Sequence, residues 1–136
     1  MRRSSLSIDN YVVQLESAIA SFPVVSSYNI AIDRKTNDIA FVSGTIEFRD
    51  GTTLDFKEFI ESKESDIEKY KYAYNYRTHS SVIFRYDNSP DPRAKELETF
   101  PYHKHLKNDE IVKSQEINLL DVLKEIEGTY FVKEDI

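Results

Sequence analysis

Two short stretches in the second half of the chain carry side chains whose types and spacing suit chemistry. FRYDNSP places Arg85 two residues before Asp87, and FPYHKH holds two of the three histidines, His103 and His105. In an extended segment, side chains two residues apart point to the same face. The first stretch therefore presents a cation beside a carboxylate, and the second presents two imidazoles together.

Proton transfer is the first chemistry that this combination indicates. Imidazole titrates near pH ~6.5, so a histidine pair can divide the roles of general base and general acid at neutral pH. Arg85 and Asp87 would either pair with each other or present a cation and a base to one ligand. A metal site formed by Asp87, His103 and His105 stays open as a second interpretation. On spacing alone, a solvated loop ranks above both for FPYHKH, because a bare H-x-H is a weak signal. For FRYDNSP, a plain Asp-Asn-Ser-Pro turn is as good an interpretation as a functional site.

The tyrosine-rich stretch KYKYAYNYR alternates strictly and predicts a strand. One face holds four tyrosines and the other holds the polar and small residues: Tyr70, Tyr72, Tyr74 and Tyr76 against Lys69, Lys71, Ala73, Asn75 and Arg77. Tyrosines packed against helices would leave the cations facing a nucleic acid. Tyrosines facing outward would instead stack on unpaired bases. The sequence leaves both orientations open.

The elements that position these stretches follow from the hydrophobic pattern. Apolar residues at three- and four-residue spacing predict a helix over 8–22, with Ser7 or Asp9 as its cap and Pro23 beyond its end. Three strands are predicted near 25–33, 38–49 and 52–60, and a bulge at Gly44 in the second of them. ESKESDIE is expected to be a polar connector, followed by the tyrosine strand and by VIFRYDN as a fifth strand. Asn118 is predicted to cap a last helix through LLDVLKEIE, which Gly128 would end.

This order predicts an α+β fold. We expect a single antiparallel sheet of about five strands, with an N-terminal and a C-terminal helix packed on one face. The other face of the sheet would stay exposed as the working surface.

Composition narrows the class of protein further. The chain has 136 residues, 40% of them hydrophobic, which predicts a single domain over 1–136 with a real core. It has no cysteine, so disulfides and thiolate metal sites are excluded. No stretch resembles a membrane span or a signal peptide, and we expect a cytoplasmic protein. The net charge of −6 argues against a broad nucleic-acid-coating surface but permits a local basic patch.

The ordered series YKYAYNYR, VIFRYDNSP, FPYHKH and LLDVLKEI resembles the TumE-like toxin family of prokaryotic toxin–antitoxin modules. The resemblance covers roughly residues 68–126, and its most specific part is R-Y-D-N-x-P followed by P-x-H-K-H. It implies a small toxin, encoded beside an antitoxin that is often a helix-turn-helix DNA-binding protein, and acting on RNA. One departure stands out: Asp91 and Pro92 occupy positions where the family often has histidines. His79 is considered as a substitute for them.

The resemblance implies a composite site. Its catalytic residues would be His103, His105, Arg85 and Asp87, and its substrate-binding residues Lys104, Tyr86 and Asn88. Arg77 and Lys71, from the cation face of the tyrosine strand, are further substrate-binding candidates. The predicted activity is metal-independent RNA cleavage through attack of the 2′-hydroxyl, with no cofactor. A metal-dependent variant at Asp87, His103 and His105 and a non-catalytic binding module are the alternatives. The expected partners are an RNA substrate and a cognate antitoxin, and a homodimer is left open.

Overall fold

Two capped amphipathic helices frame the chain, and the computed structural model describes residues 7–64 and 66–131. Helix α1 spans Ile8–Ala20, and the Ser7 side chain accepts a hydrogen bond from the Asn10 amide at 3.1 Å. Helix α2 spans Leu119–Tyr130 behind a capping box, in which Asn118 and Asp121 each bind the other's backbone amide. The predicted caps at Ser7 and Asn118 are confirmed.

The predicted end of α2 at Gly128 is wrong, because the helix continues to Tyr130. A glycine inside a helix costs only about 0.5–1 kcal/mol relative to alanine. Packing at the helix end offsets this cost, since the Tyr130 ring lies 5.3 Å from that of Tyr76.

The strands form one antiparallel sheet in simple chain order, β1-β2-β3-β4-β5-β6-β7. Their bounds are β1 Val25–Arg34, β2 Ile39–Phe48, β3 Thr53–Lys63, β4 Asp66–Arg77, β5 Val82–Asp87, β6 His103–Leu106 and β7 Ile111–Lys113. The α+β class and the single antiparallel sheet are confirmed, but the sheet has seven strands rather than about five. The additional strands β6 and β7 have 4 and 3 residues, too few for an alternating pattern to identify them.

The ESKESDIE segment is not a connector, as the sequence had predicted. Strands β3 and β4 stay paired as far as Lys63 and Asp66, so most of this segment is strand. Its charges suit a solvated hairpin end, where Lys63 lies 2.9 Å from Glu68. The polar residues of this segment therefore indicate that the strands are exposed to solvent, and not that strand structure is absent.

The core lies between the two helices and one face of the sheet. Its largest members come from both helices and from alternate positions of the central strands: Ile8, Ile19, Leu119, Leu123 and Ile126 with Ile46, Leu54, Ile60, Tyr74, Tyr76 and Phe84. Tyr72, Tyr74 and Tyr76 are 3%, 0% and 0% exposed, so the tyrosine row packs inward.

A bulge changes the alternation at the start of this row. The register between β3 and β4 shifts between Phe59 and Ile60, which leaves Tyr70 as an extra residue. Tyr70 contacts the Phe59 ring on the uncovered side, whereas Lys69 turns inward and donates to the Tyr74 hydroxyl at 2.8 Å. The predicted shared face therefore holds for three tyrosines and fails for Tyr70 and Lys69.

Gly44 is not at a bulge, because β2 pairs in regular register with both neighbouring strands there. Its lack of a side chain is required by packing instead. A Cβ at this position would lie 2.5 Å from the Phe56 ring and 2.6 Å from the Asn29 carbonyl oxygen.

We call the sheet face opposite the helices the open face. Within residues 7–64 and 66–131, neither helix packs on it. Neither described helix has the length and the run of apolar residues needed to cross a lipid bilayer. The open face is the surface on which the site lies.

Candidate functional site

The two stretches singled out in the sequence meet where β5 pairs with β6. Asp87 lies opposite His103, and Arg85 lies opposite His105. The Nε2 atom of His103 is 3.1 Å from Asp87 Oδ1, and the Nε2 atom of His105 is 3.4 Å from Asp87 Oδ2. The structure therefore brings together all four residues that were predicted to be catalytic. We call Asp87, His103 and His105 the His–Asp cluster.

The hydrogen bonds of His103 determine where its proton lies. Its Nδ1 atom is 2.7 Å from the Pro101 carbonyl oxygen, which can only accept, so Nδ1 carries the hydrogen. Its Nε2 atom is then a lone pair in the neutral ring, and it faces both Asp87 Oδ1 and His105 Nε2 at 3.1 Å. A proton or a cation must lie among these three atoms, because buried acceptors that face one another without one are costly.

Two donors hold the buried Asp87 carboxylate beside the histidines. It is 3% exposed, its Oδ1 accepts from the Ser89 amide at 3.0 Å, and its Oδ2 accepts from Arg85 Nε at 2.8 Å. The predicted Asp-Asn-Ser-Pro turn is thus present, and it serves to fix the carboxylate. Turn and site are therefore one arrangement.

Exposure separates the two histidines. His103 is 1% exposed, whereas the side chains of His105 and Arg85 are 18% and 38% exposed. Burial lowers the pKa of His105 from its ordinary value, and the Asp87 carboxylate acts in the opposite direction without reversing this shift. At neutral pH His105 is therefore an uncharged ring that a solute can reach.

Lys104 and Tyr86 lie on the helix-covered face, away from the His–Asp cluster. Lys104 Nζ is 2.7 Å from Glu125 Oε2, and the Tyr86 hydroxyl donates to Glu125 Oε1 at 2.6 Å. These contacts tie β5 and β6 to α2. The predicted role of Lys104 and Tyr86 in binding substrate stays a prediction. In the structure both side chains contact Glu125 of α2 and not the His–Asp cluster.

Of the other predicted binding residues, Asn88 makes structural contacts, and Arg77 and Lys71 lie on the open face. Asn88 bridges the backbone of β4, donating to the Tyr70 carbonyl at 2.9 Å and accepting from the Tyr72 amide at 3.0 Å. It holds the strand end beside the cluster. Arg77 lies on the open face and binds Asp55 through Nε at 2.6 Å, and Lys71 is exposed on the same face.

His79 lies in the exposed loop between β4 and β5. Val82 and Asp87 are the two ends of β5, and five residues of strand span roughly 16 Å. His79 therefore sits at the far end of β5 from Asp87 and does not substitute for a residue of the cluster.

Asp91 and Pro92 begin a short 3-10 turn, Pro92–Ala94. The Asp91 side chain accepts from the Arg93 amide at 2.9 Å, and this bond together with the Arg93 guanidinium lowers the pKa of Asp91. The two residues that depart from the family pattern, Asp91 and Pro92, therefore belong to a capped turn.

Three residues near the cluster escaped the sequence prediction. Phe41, Phe59 and Lys57 lie with Lys71 around a cavity of about 450 Å³ on the open face, and Arg85 lines the same cavity. The alternation of β2 and β3 contains the signal, since Phe41, Lys57 and Phe59 occupy positions of the uncovered face in both strands. Only the position of the helices shows that this face is uncovered.

A separate buried polar group ties α1 to the sheet. Glu58 is 0% exposed and accepts hydrogen bonds from the Tyr74 hydroxyl at 2.5 Å and from the Tyr11 hydroxyl. Burial and the Glu58 charge raise the pKa of both tyrosines, which keeps them protonated as donors. This group is structural and lies on the face opposite the His–Asp cluster.

Metal-ligand geometry is also present at the cluster. One ligand atom each from Asp87, His103 and His105 lie within 4.8 Å of one another. Around a tetrahedral ion at about 2.0–2.2 Å, ligand atoms lie roughly 3.3–3.6 Å apart. The two Nε2 atoms are 3.1 Å apart, and each lies near a different Asp87 oxygen, His103 at 3.1 Å from Oδ1 and His105 at 3.4 Å from Oδ2, so each separation is close to this range. The donation from His103 Nδ1 to a backbone carbonyl is also common among metal-binding histidines.

Fold and site together define a small α+β protein with a histidine–carboxylate site on an uncovered sheet face. The sequence profile described as toxin TumE matches residues 15–130. Because this match covers most of the chain, the chain belongs to the TumE toxin family, as its sequence motifs had indicated. No curated protein matches the chain, and no solved structure does.

Proposed function

We propose that this toxin is an endoribonuclease whose catalytic site is the His–Asp cluster with Arg85. The observation that carries the proposal is the convergence of Asp87, His103 and His105 at one point of the open face, where only His105 and Arg85 are reachable. Family membership supports the toxin class and an antitoxin partner. That the substrate is RNA is part of the proposal and does not follow from family membership.

RNA supplies its own nucleophile, so the protein needs only proton transfer and charge stabilisation. His105 takes the proton of a 2′-hydroxyl through Nδ1, the ring nitrogen that does not face His103 and Asp87. The 2′-oxygen bonds to phosphorus, and the bond to the 5′-oxygen breaks. The histidine pair returns a proton to that oxygen, which leaves a 2′,3′-cyclic phosphate and a 5′-hydroxyl. Each proton transfer contributes about 10²–10⁴-fold to the rate.

The roles follow exposure and contacts. His105 touches the substrate, because the 1% exposure of His103 places that ring behind it. His103 positions His105 and shares its proton across the 3.1 Å Nε2–Nε2 contact. Arg85 stabilises the phosphorane with the NH groups that Asp87 does not occupy, a contribution of about 10²–10³-fold for a well-placed donor.

Purified protein and an unstructured RNA provide the test. We expect wild type to cleave the RNA, His105→Ala to cleave it at least about 100-fold more slowly, and His79→Ala to match wild type. His79→Ala is the matched control, since it removes an exposed imidazole far from the cluster. Equal rates for wild type and His105→Ala would overturn the proposed site, and intact RNA throughout would favour a non-catalytic binding module.

A metal-dependent nuclease is the second candidate, favoured by the ligand-like separations within the His–Asp cluster. Asp87, His103 and His105 would hold a divalent ion such as Zn²⁺, which would supply Lewis-acid stabilisation of the phosphate. Cleavage in the presence of EDTA separates the two candidates. Full activity with EDTA supports proton transfer by the histidines, and activity that is lost with EDTA and restored by Zn²⁺ or Mn²⁺ supports the metal-dependent enzyme.

A further inference from the structure

We propose that Phe41, Phe59, Lys57 and Lys71 form a binding track for single-stranded RNA that leads along the open face to the His–Asp cluster. We call these four residues the aromatic–lysine track. The inference rests on the proposed function for its substrate and names the form of RNA, unpaired rather than duplex. Of its residues only Lys71 was predicted from the sequence, and the track adds Phe41, Phe59 and Lys57.

The register of the sheet aligns the track in two neighbouring rows. Phe41 pairs with Phe59, and Phe59 pairs with Lys71. In the adjacent row Lys57 pairs with Ala73, which in turn pairs with Asp87. Directly paired residues point to the same face, so the two phenyl rings, the two ammonium groups and the Asp87 carboxylate share one surface.

The aromatic side chains of the track lack the cover that the core rings have. Phe41 and Phe59 are half-buried on the face without helices, and Tyr70, with its ring 6.2 Å from that of Phe59, is 38% exposed. Large rings grouped on an uncovered sheet face are informative, unlike a single exposed one. Such rings interleaved with cations are the platform on which unpaired bases stack.

The charges of the track favour a polyanion. Lys57 and Lys71 are both exposed, and among the described residues neither has an ion-pair partner. The nearby carboxylate of Asp55 is already bound by Arg77, at 2.6 Å. Two unpaired ammonium groups therefore remain beside the rings in a chain whose net charge is −6.

The track is continuous with the cluster. Its cavity of about 450 Å³ and a second of about 580 Å³ share Phe41, Lys57, Ala73 and Arg85. The small side chain of Ala73 forms the floor between Lys57 and Asp87. From β2 to β6 the four strand spacings add up to about 19 Å, which spans several nucleotides at ~3.4 Å per stacked nucleotide. Arg85 lies at the end of the track, where the bound RNA would reach His105.

An uncleavable probe separates binding from catalysis. The probe is a fluorescein-labelled oligothymidylate of twelve nucleotides, which lacks the 2′-hydroxyl, and its binding is followed by fluorescence anisotropy. We expect Phe59→Ala to weaken binding about 5- to 100-fold through loss of stacking. We expect Lys57→Ala/Lys71→Ala to weaken binding and to flatten the plot of log K against log salt by about 1.4, the value for two lost phosphate contacts. Lys124→Ala, an exposed lysine on α2, is the control and should bind like wild type.

A duplex RNA of twelve base pairs, tested by competition, examines the single-strand claim. We expect it to compete at least tenfold more weakly than the single strand, because paired bases cannot stack on the rings. Unchanged binding and unchanged salt slope in the Phe59 and lysine variants would overturn the track even if RNA is cleaved. Weakened probe binding by these variants in a protein that cleaves no RNA would support the track and contradict the proposed ribonuclease.

Discussion

At the scale of single residues, the central feature is the proton balance of the His–Asp cluster. His103 donates from Nδ1 to the Pro101 carbonyl, so in the neutral ring its Nε2 faces Asp87 and His105 as an acceptor. Only a shared proton or a bound cation satisfies all three groups. Without a proton or a cation, the close contacts among these three groups would be unfavourable. The same contacts allow the cluster to take up and pass on a proton.

A growth assay tests the residue assignments in the cell. Expression of wild type is expected to stop growth, whereas His105→Ala and Asp87→Asn should permit it, because they remove the reachable base and its carboxylate partner. His79→Ala should remain as toxic as wild type. Circular dichroism of the purified variants verifies folding, and full toxicity of a folded His105→Ala would refute the assignment.

The pKa of His105 also predicts how stability depends on pH. Burial lowers this pKa in the folded state, with Asp87, His103, Arg85 and Arg93 as the charged neighbours. The unfolded chain then binds the proton more readily than the folded protein does. The free energy of unfolding is therefore highest above the ordinary histidine pKa of about 6.5, and it decreases as the pH is lowered below that value. His105→Gln should lose less stability than wild type between pH 7 and pH 5.

Urea denaturation at the two pH values measures this effect. His79→Gln is the control, because its side chain is exposed in a loop, and it should keep the wild-type difference. If His105→Gln shows the same loss between pH 7 and pH 5 as wild type, the buried imidazole does not contribute to the acid sensitivity.

At the scale of elements, close packing at Gly44 joins the first three strands. A Cβ there would meet Phe56 at 2.5 Å, whereas a Cβ at Gly128 in α2 would meet nothing within 4 Å. Gly44→Ala is expected to lower the free energy of unfolding by about 1–3 kcal/mol through overpacking. Gly128→Ala should raise it by about 0.5–1 kcal/mol, because alanine is the better helix former.

The two glycine variants form a matched pair, since each adds a single methyl group. Urea denaturation measures both free energies of unfolding. A Gly44→Ala variant as stable as wild type would show that β1 and Phe56 move aside at little cost, contrary to the close packing described.

Elements also show what a single sequence can and cannot predict. The helix caps at Ser7 and Asn118 and the shared face of Tyr72, Tyr74 and Tyr76 follow from local pattern, because capping and alternation are local effects. That this face packs inward does not follow, since it depends on where the helices lie. The pairing of β6 with β5 does not, since four residues carry no usable periodicity and the partner is set by backbone hydrogen bonds across a 15-residue loop region, 88–102. The bulge that turns Tyr70 outward has no local signal either.

At the scale of the whole molecule, the two faces of the sheet have separate tasks. The helix-covered face holds the core, the Glu58 group and the Lys104–Glu125 ion pair. The open face holds the His–Asp cluster and the aromatic–lysine track. The sequence motifs predicted Asp87, Arg85 and the two histidines, because their types are chemically distinctive. They did not indicate Phe41, Lys57 and Phe59, since these become informative only once the helices are known to cover the other face.

The central claim is that the His–Asp cluster cleaves RNA through the 2′-hydroxyl. The most direct measurement uses a DNA oligonucleotide that contains a single ribonucleotide and a label at each end, incubated with wild type in the presence of EDTA. We predict one cut, directly 3′ of the ribonucleotide, with a 2′,3′-cyclic phosphate on the product and a rate at least about 100-fold lower for His105→Ala. An uncut oligonucleotide, or equal cutting of an all-DNA strand, would contradict the account.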